Sequence, residues 1–225
     1  MILLAIDTAS TLCAACVYDR AADVELGRAV LDLGKGHAEH LTGVVDDAMR
    51  QAGVGFSELD RVVVSVGPGS FTGVRVGVAA ARGYALALKI PAVGVTTLEA
   101  IAAEARSQAG SRTIMVALDA GRGEINLAVF DAAGTVLHGP AVATLAQAAL
   151  LAKEHAAFLA GSAAALVGRE AGETLAPHYV AATADIGVYA RLGASKDIGD
   201  KPKPLYLRDA DAKPQAGFVL PRISS

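Results

Sequence analysis

At 225 residues the chain fits one large domain or two small fused lobes, and with 53% apolar against 19% charged residues it can build a sizeable core and is not disordered. A formal net charge of -3 leaves no molecule-wide basic footprint for nucleic acid, so any RNA contact would be local. No charge-free apolar run reaches the ~18 residues of a membrane span, and the first residues lack a basic stretch and a small-residue cleavage site, so a cytoplasmic location is expected.

Residues 1–7, 12–19 and 24–33 read as strands joined by short turns, and 37–52 has helical spacing at Leu41, Val44, Val45, Ala48 and Met49. Cys13 and Cys16 form a lone C-x-x-C inside the second strand. No second ligand pair completes a zinc site, and residues three apart on a strand face opposite sides, so they read as core, with a redox pair as the alternative. A β-branched run at 61–66 ends at Gly67-Pro68-Gly69. Then 73–88 reads as a helix, 91–95 as a short strand and 97–107 as a helix. Past a cluster of Ser, Gln and Gly at 105–112, strands are expected at 113–119, 124–131 and 135–142. A helix at 145–154, a strand at 157–161 and a helical stretch near 185–192 follow. Residues 196–225 are the most basic stretch and read as a solvated tail.

Shifting the chain by 112 residues aligns Ala5-Ile6-Asp7 with Ala117-Leu118-Asp119 and Val17-Tyr18-Asp19 with Val129-Phe130-Asp131, without a gap. Val24, Gly27 and Ala29-Val30 fall on Val136, Gly139 and Ala141-Val142 in the same frame. The period is too long for a solenoid and implies two copies of one unit. Three antiparallel strands followed by alternating helices and strands make a mixed α/β sheet, built twice. The expected lobes are 1–108, βββαβαβα, and 109–225, βββαβα plus a C-terminal tail.

A duplicated lobe that opens strand, Asp, turn, strand resembles the RNase H-like lobes of the actin, Hsp70 and sugar-kinase (ASKHA) superfamily. In that superfamily two such turns hold phosphate and metal. Here Asp7 and Asp119 occupy the turns and either handle phosphate or cap strand ends. The first turn has no glycine, and the second places Arg122 and Glu124 in or beside it. The loop Gly67-Pro68-Gly69-Ser70-Phe71-Thr72-Gly73 joins a buried strand to a helix. Gly67, Gly69, Ser70 and Thr72 could receive an anion or nucleotide there, or form a rigid turn. Along the following helix, Gly73, Gly77, Ala80, Ala81 and Tyr84 recur at three- or four-residue spacing. They make a smooth face for close packing within the lobe or across a subunit interface, with Arg75 and Arg82 at its rim. Gly77→Arg is then expected to block a partner and leave the fold intact. His37 and His40 have no visible third ligand and read as an exposed helix start, and neither an H-E-x-x-H nor a Gly-x-Ser-x-Gly motif is present.

The opening Leu3-Leu4-Ala5-Ile6-Asp7-Thr8, the segment His37-Ala38-Glu39-His40-Leu41, the string Gly67-Pro68-Gly69-Ser70-Phe71-Thr72-Gly73-Val74-Arg75-Val76-Gly77 and the tail Pro204-Leu205-Tyr206-Leu207-Arg208 together resemble the bacterial TsaB (YeaZ) family over nearly the whole chain. The resemblance implies a non-catalytic partner of TsaD, a larger paralogue that works with the ATPase TsaE. Together they place a threonylcarbamoyl group on N6 of adenosine 37 in tRNAs reading A-starting codons. It implies docking through the helices at 37–52 and 73–88, with His37, Leu41, Val44, Val45, Ala48, Gly73, Arg75, Gly77, Ala80, Ala81 and Tyr84 at the interface. A homodimer through the same surface is implied for the isolated chain. Contact with tRNA would come through the complex, and nucleotide would bind, if anywhere, in the assembly. No metal is implied, since His37-x-x-His40 is one residue shorter than the H-x-x-x-H of TsaD. The competing expectations are a stand-alone small-molecule kinase or ATPase of the same superfamily, which would use Asp7 and Asp119, and a metallopeptidase.

Overall fold

The computed structural model describes residues 1–172 and 177–207, so the basic end of the chain from Arg208 onward lies outside the described residues. Strands β1 (Ile2–Asp7), β2 (Leu12–Asp19) and β3 (Val24–Asp32) form an antiparallel meander. Helix α1 (His37–Ala52) leads to β4 (Arg61–Ser65), α2 (Phe71–Leu88), β5 (Ala92–Val95) and α3 (Thr97–Ala109). The five strands lie in the order β3-β2-β1-β4-β5, with β4 parallel to both β1 and β5. The second half repeats the series with β6 (Ile114–Asp119), β7 (Glu124–Phe130), β8 (Val136–Thr144), α4 (Leu145–Glu154), β9 (Phe158–Ala160), α5 (Ala164–Glu170), β10 (Pro177–Tyr179) and α6 (Ile186–Ser195). Its order, β8-β7-β6-β9-β10, is the same topology copied.

Local chemistry explains most boundaries. Thr96 and Thr144 open their helices with capping boxes, each accepting from the N–H three residues on while Glu99 or Gln147 reaches back. Gly53 ends α1 in the left-handed conformation at φ 67. Helix α2 starts at Phe71, two residues before the predicted start, because Ser70 caps it by accepting from Gly73 N. Helix α3 continues to Ala109, into the stretch read as the join. The sequence carries no clear signal for α5 and β10, which at seven and three residues are too short to establish a periodic pattern.

Three clusters of buried side chains divide the molecule into five layers. The outer face of the first sheet packs on α1 and α2 through Ile6, Val17, Leu41, Val45, Val62 and Val78. The outer face of the second sheet packs on α4 and α5 through Met115, Leu127, Ala148, Leu159 and Val167. Between the two inner faces lie α3 and α6, joined into one cluster with Leu3, Val63, Ile114, Val116 and Phe158. These helices cross over. The closing helix of the first half rests on β6 and β9, and the closing helix of the second half on β1, β2 and β4. Cys13 belongs to the outer cluster and Cys16 to the central one, as three-residue spacing on a strand requires.

Candidate functional site

The carboxyl of Asp7 lies at the end of β1, only 1% exposed. Oδ1 accepts from Ala9 N at 2.9 Å, so the side chain closes its own turn, and Oδ2 accepts from the hydroxyl of Thr183 at 2.6 Å. Thr183 in turn lies 2.8 Å from the hydroxyl of Tyr189 on α6. Ser65 and Thr97 add a hydroxyl pair at 3.4 Å. Burial pushes the Asp7 carboxyl above the ordinary carboxylate range, with these hydrogen bonds and His37 pulling it back down. The residue that the superfamily resemblance offers to phosphate is thus held inside the molecule by its own turn and by a hydroxyl from the other half. Asp119, at the end of β6, is exposed; its Oδ1 accepts from Gly121 N at 2.7 Å and its own N–H donates to Ser162 Oγ at 3.1 Å.

The loop before α2 is packed onto the turn that Asp7 closes. Ser70 N donates to Ala9 O at 2.7 Å, and Thr8 Oγ1 donates to Gly73 O at 2.7 Å. Gly67 N–Cα geometry is left-handed, φ 87, and its carbonyl accepts from Thr97 N at 2.8 Å. A Cβ at Gly69 would meet Ala9 O at 2.2 Å, at Gly73 Thr8 O at 2.0 Å, and at Gly77 Thr8 Oγ1 at 2.5 Å. The glycine face of α2 is therefore filled by the chain's own β1–β2 turn. Gly77→Arg would break the fold, contrary to the expectation that it would only block a partner.

The interface residues expected from the sequence divide in two. His37, Leu41, Val44, Val45 and Ala48 lie on the inner side of α1, buried in the outer cluster or beside it, and Gly73, Gly77 and Ala81 are buried on α2. All of them are buried. Arg75 is exposed, while Ala80 and Tyr84 are half-buried, Tyr84 stacking on Phe56 with ring centroids 5.7 Å apart. His37 is a correction of its own. Expected at an exposed helix start, it is 7% exposed, and its Nε2 has no hydrogen-bond partner; His40 is exposed. The open surface of the two helices carries other residues, among them Ala38, Thr42, Asp46, Ala79, Gly83 and Leu86.

Several polar links between the halves had no motif to announce them. Arg28 on β3 pairs with Asp185 at 2.6 Å, and Arg61 donates to Gly193 O at 2.7 Å and Lys196 O at 2.8 Å at the end of α6. Both cysteines are buried free thiols, and burial pushes Cys13 up to about 11, far from a reactive thiolate. Among the described residues no group of His, Cys, Asp and Glu is arranged to hold a metal, and no helix is long and apolar enough to cross a membrane.

Over residues 32–177 the chain matches the family model TsaD, tRNA N6-adenosine threonylcarbamoyltransferase. An uncharacterised protein of Mycobacterium tuberculosis is 38% identical over 231 residues, 95% of each chain. The Escherichia coli tRNA threonylcarbamoyladenosine biosynthesis protein TsaB is 32% identical over 131 residues, 58% of this chain and 55% of that protein. Among solved structures, YeaZ from Pseudomonas aeruginosa superposes with a TM-score of 0.71 at 25% identity, covering 87% of this chain and 93% of its own. A Bacteroides thetaiotaomicron protein with an actin-like ATPase fold gives a TM-score of 0.50 at 10% identity, covering 87% and 96%. That likeness shows an actin-like ATPase fold, the kind of fold expected for the duplicated lobes.

Proposed function

The chain belongs to the family that the TsaD model defines, in its TsaB (YeaZ) branch, and from that premise we propose that it acts in tRNA threonylcarbamoyladenosine biosynthesis as a non-catalytic partner subunit. On this reading it organises a TsaD-type subunit, which modifies N6 of adenosine 37 with a TsaE-type ATPase, and it meets tRNA only through that complex. One observation carries the non-catalytic part. Both oxygens of Asp7 are engaged within the chain, by Ala9 N and Thr183 Oγ1, at 1% exposure. A carboxylate that manages a metal-bound phosphate needs free lone pairs facing the ligand. The open face of α1 and α2 supports docking there, and self-association through it in the absence of the partner.

Reconstitution tests the proposal. The TsaD- and TsaE-type proteins of the same genome, tRNA and threonylcarbamoyl-adenylate are combined with and without this chain. Modification should require the chain and survive Asp7→Asn. Modification that is independent of the chain overturns the partnership. A folded Asp7→Asn protein that supports none, or calorimetric binding and turnover of Mg-ATP by the chain alone, assigns it the kinase or ATPase chemistry of its superfamily instead.

A further inference from the structure

At the start of α2, three side chains form a preassembled cluster on the surface. The guanidinium of Arg75 lies 3.7 Å from the centroid of the Phe71 ring, and its Nε donates to the hydroxyl of Tyr206 at 2.7 Å. Phe71 and Tyr206 are 58% and 52% exposed, in a chain with five Phe, five Tyr and no Trp. Tyr206 reaches this place because the segment 201–207 crosses back over the first sheet, with Leu205 N donating to Val66 O at 2.8 Å and Leu205 packed into the outer cluster. Two exposed aromatic rings held against an arginine have the composition of an interface anchor, and nothing in the folded monomer needs them exposed.

Among the described residues the remaining donors of Arg75 have no hydrogen-bond partner. No carboxylate among the described residues bonds to it, and α2 has Arg75 and Arg82 but no acidic residue from Phe71 to Leu88. With one guanidinium face covered by Phe71 and Nε occupied by Tyr206, the two terminal nitrogens present a planar fork. Such a fork matches a carboxylate bidentately, and its side-chain entropy has already been lost. The neighbouring helix disfavours nucleic acid at this spot, because α1 exposes Glu39, Asp46 and Asp47 beside α2. Beyond Arg75 the outer surface of α2 continues with Ala79, Gly83 and Leu86, the last 78% exposed, which suits a protein surface.

We propose that Arg75, held by Phe71 and Tyr206, is a clamp for a carboxylate of the partner subunit, and that the C-terminal segment, through Tyr206, positions it. This rests on the partner-subunit reading above and names the residue chemistry of its docking face. Affinity for the TsaD-type subunit is measured by calorimetry with the full-length chain, at low and at high salt. Arg75→Ala should weaken binding at least about tenfold. Arg75→Lys should fall between, since the charge stays and the fork is lost. Tyr206→Phe, which keeps the ring and removes the bond to Nε, should cost about 2- to 10-fold and be non-additive with Arg75→Ala. The gap between wild type and Arg75→Ala should narrow as salt rises. All three side chains lie on the surface, so melting temperatures should stay unchanged and separate docking from folding. Ala79→Arg, on the same face, reports on the docking reading itself. If Ala79→Arg abolishes the complex while Arg75→Ala binds as wild type, the clamp is overturned and the docking reading stands. If neither variant weakens binding, or the wild-type chain forms no complex, both fall.

Discussion

Burial to 1% exposure, with no cation bonded to it among the described residues, raises the pKa of the Asp7 carboxyl above its ordinary value, against the pull of Thr183, Ala9 N and His37. The titratable groups facing Asp7 are His37 from α1, Cys13 from β2 and Tyr189 from α6. Because its folded pKa lies above the unfolded value, the folded chain holds this proton more tightly than the unfolded one. The associated stability is fully present below the unfolded carboxylate pKa and is lost as pH rises through the folded value. Asp7→Asn keeps an acceptor for Ala9 N and turns an amide donor toward Thr183, whose hydroxyl can then face Tyr189. Thermal melts from roughly pH 4 to pH 9 should therefore show the variant matching or exceeding wild type at alkaline pH, with the advantage gone in acid. A variant several degrees less stable at alkaline pH would mean that the ionised form is the one the fold requires. Asp7 stood out in the sequence because an Asp ending an apolar strand is a local pattern. It could not point to Thr183 and Tyr189, which meet Asp7 across 176 and more residues of chain and carry no motif.

Two of the three glycines of helix α2, Gly73 and Gly83, differ sharply in what surrounds them. A Cβ at Gly73 would lie 2.0 Å from the backbone oxygen of Thr8, whereas at Gly83 it would meet nothing within 4 Å. Gly73→Ala should push the helix off the β1–β2 turn and cost about 1–3 kcal/mol. Gly83→Ala, at an exposed helical position, should gain up to about 1 kcal/mol from better helix propensity. Denaturant midpoints of the two variants, moving in opposite directions, check this; equal shifts would contradict the close contact. The same contrast explains what was legible at this scale. Apolar spacing identified α1 and α2 and their inner faces, Leu41, Val44, Val45 and Ala48 above all, as surfaces that must be covered. Periodicity says that a face is covered and not by what. The cover is the chain's own sheet, so most of the residues expected to meet a partner are core, Arg75 being the exposed exception, and Phe71, also outward, had no periodic signal.

For the whole molecule, the 112-residue offset predicted two copies, and the two sheets with identical strand order are those copies. The offset could not predict the exchange of closing helices, because the buried face of a helix looks the same whichever sheet receives it. That exchange ties the halves together through one central cluster that draws on both sheets, and Arg28 with Asp185 and Arg61 with the end of α6 add polar links across the same seam. Unfolding should accordingly be one cooperative transition, with calorimetric and van't Hoff enthalpies equal, and not two transitions for two lobes. Two resolved transitions would show that the central layer is not shared. The arrangement also constrains how such a chain can change over generations. Each repeat keeps a helix that completes its twin, so a substitution on α3 is answered by β6 and β9, and one on α6 by β1 and β4. Neither copy can change the buried face of its closing helix without a matching change in the sheet of its twin.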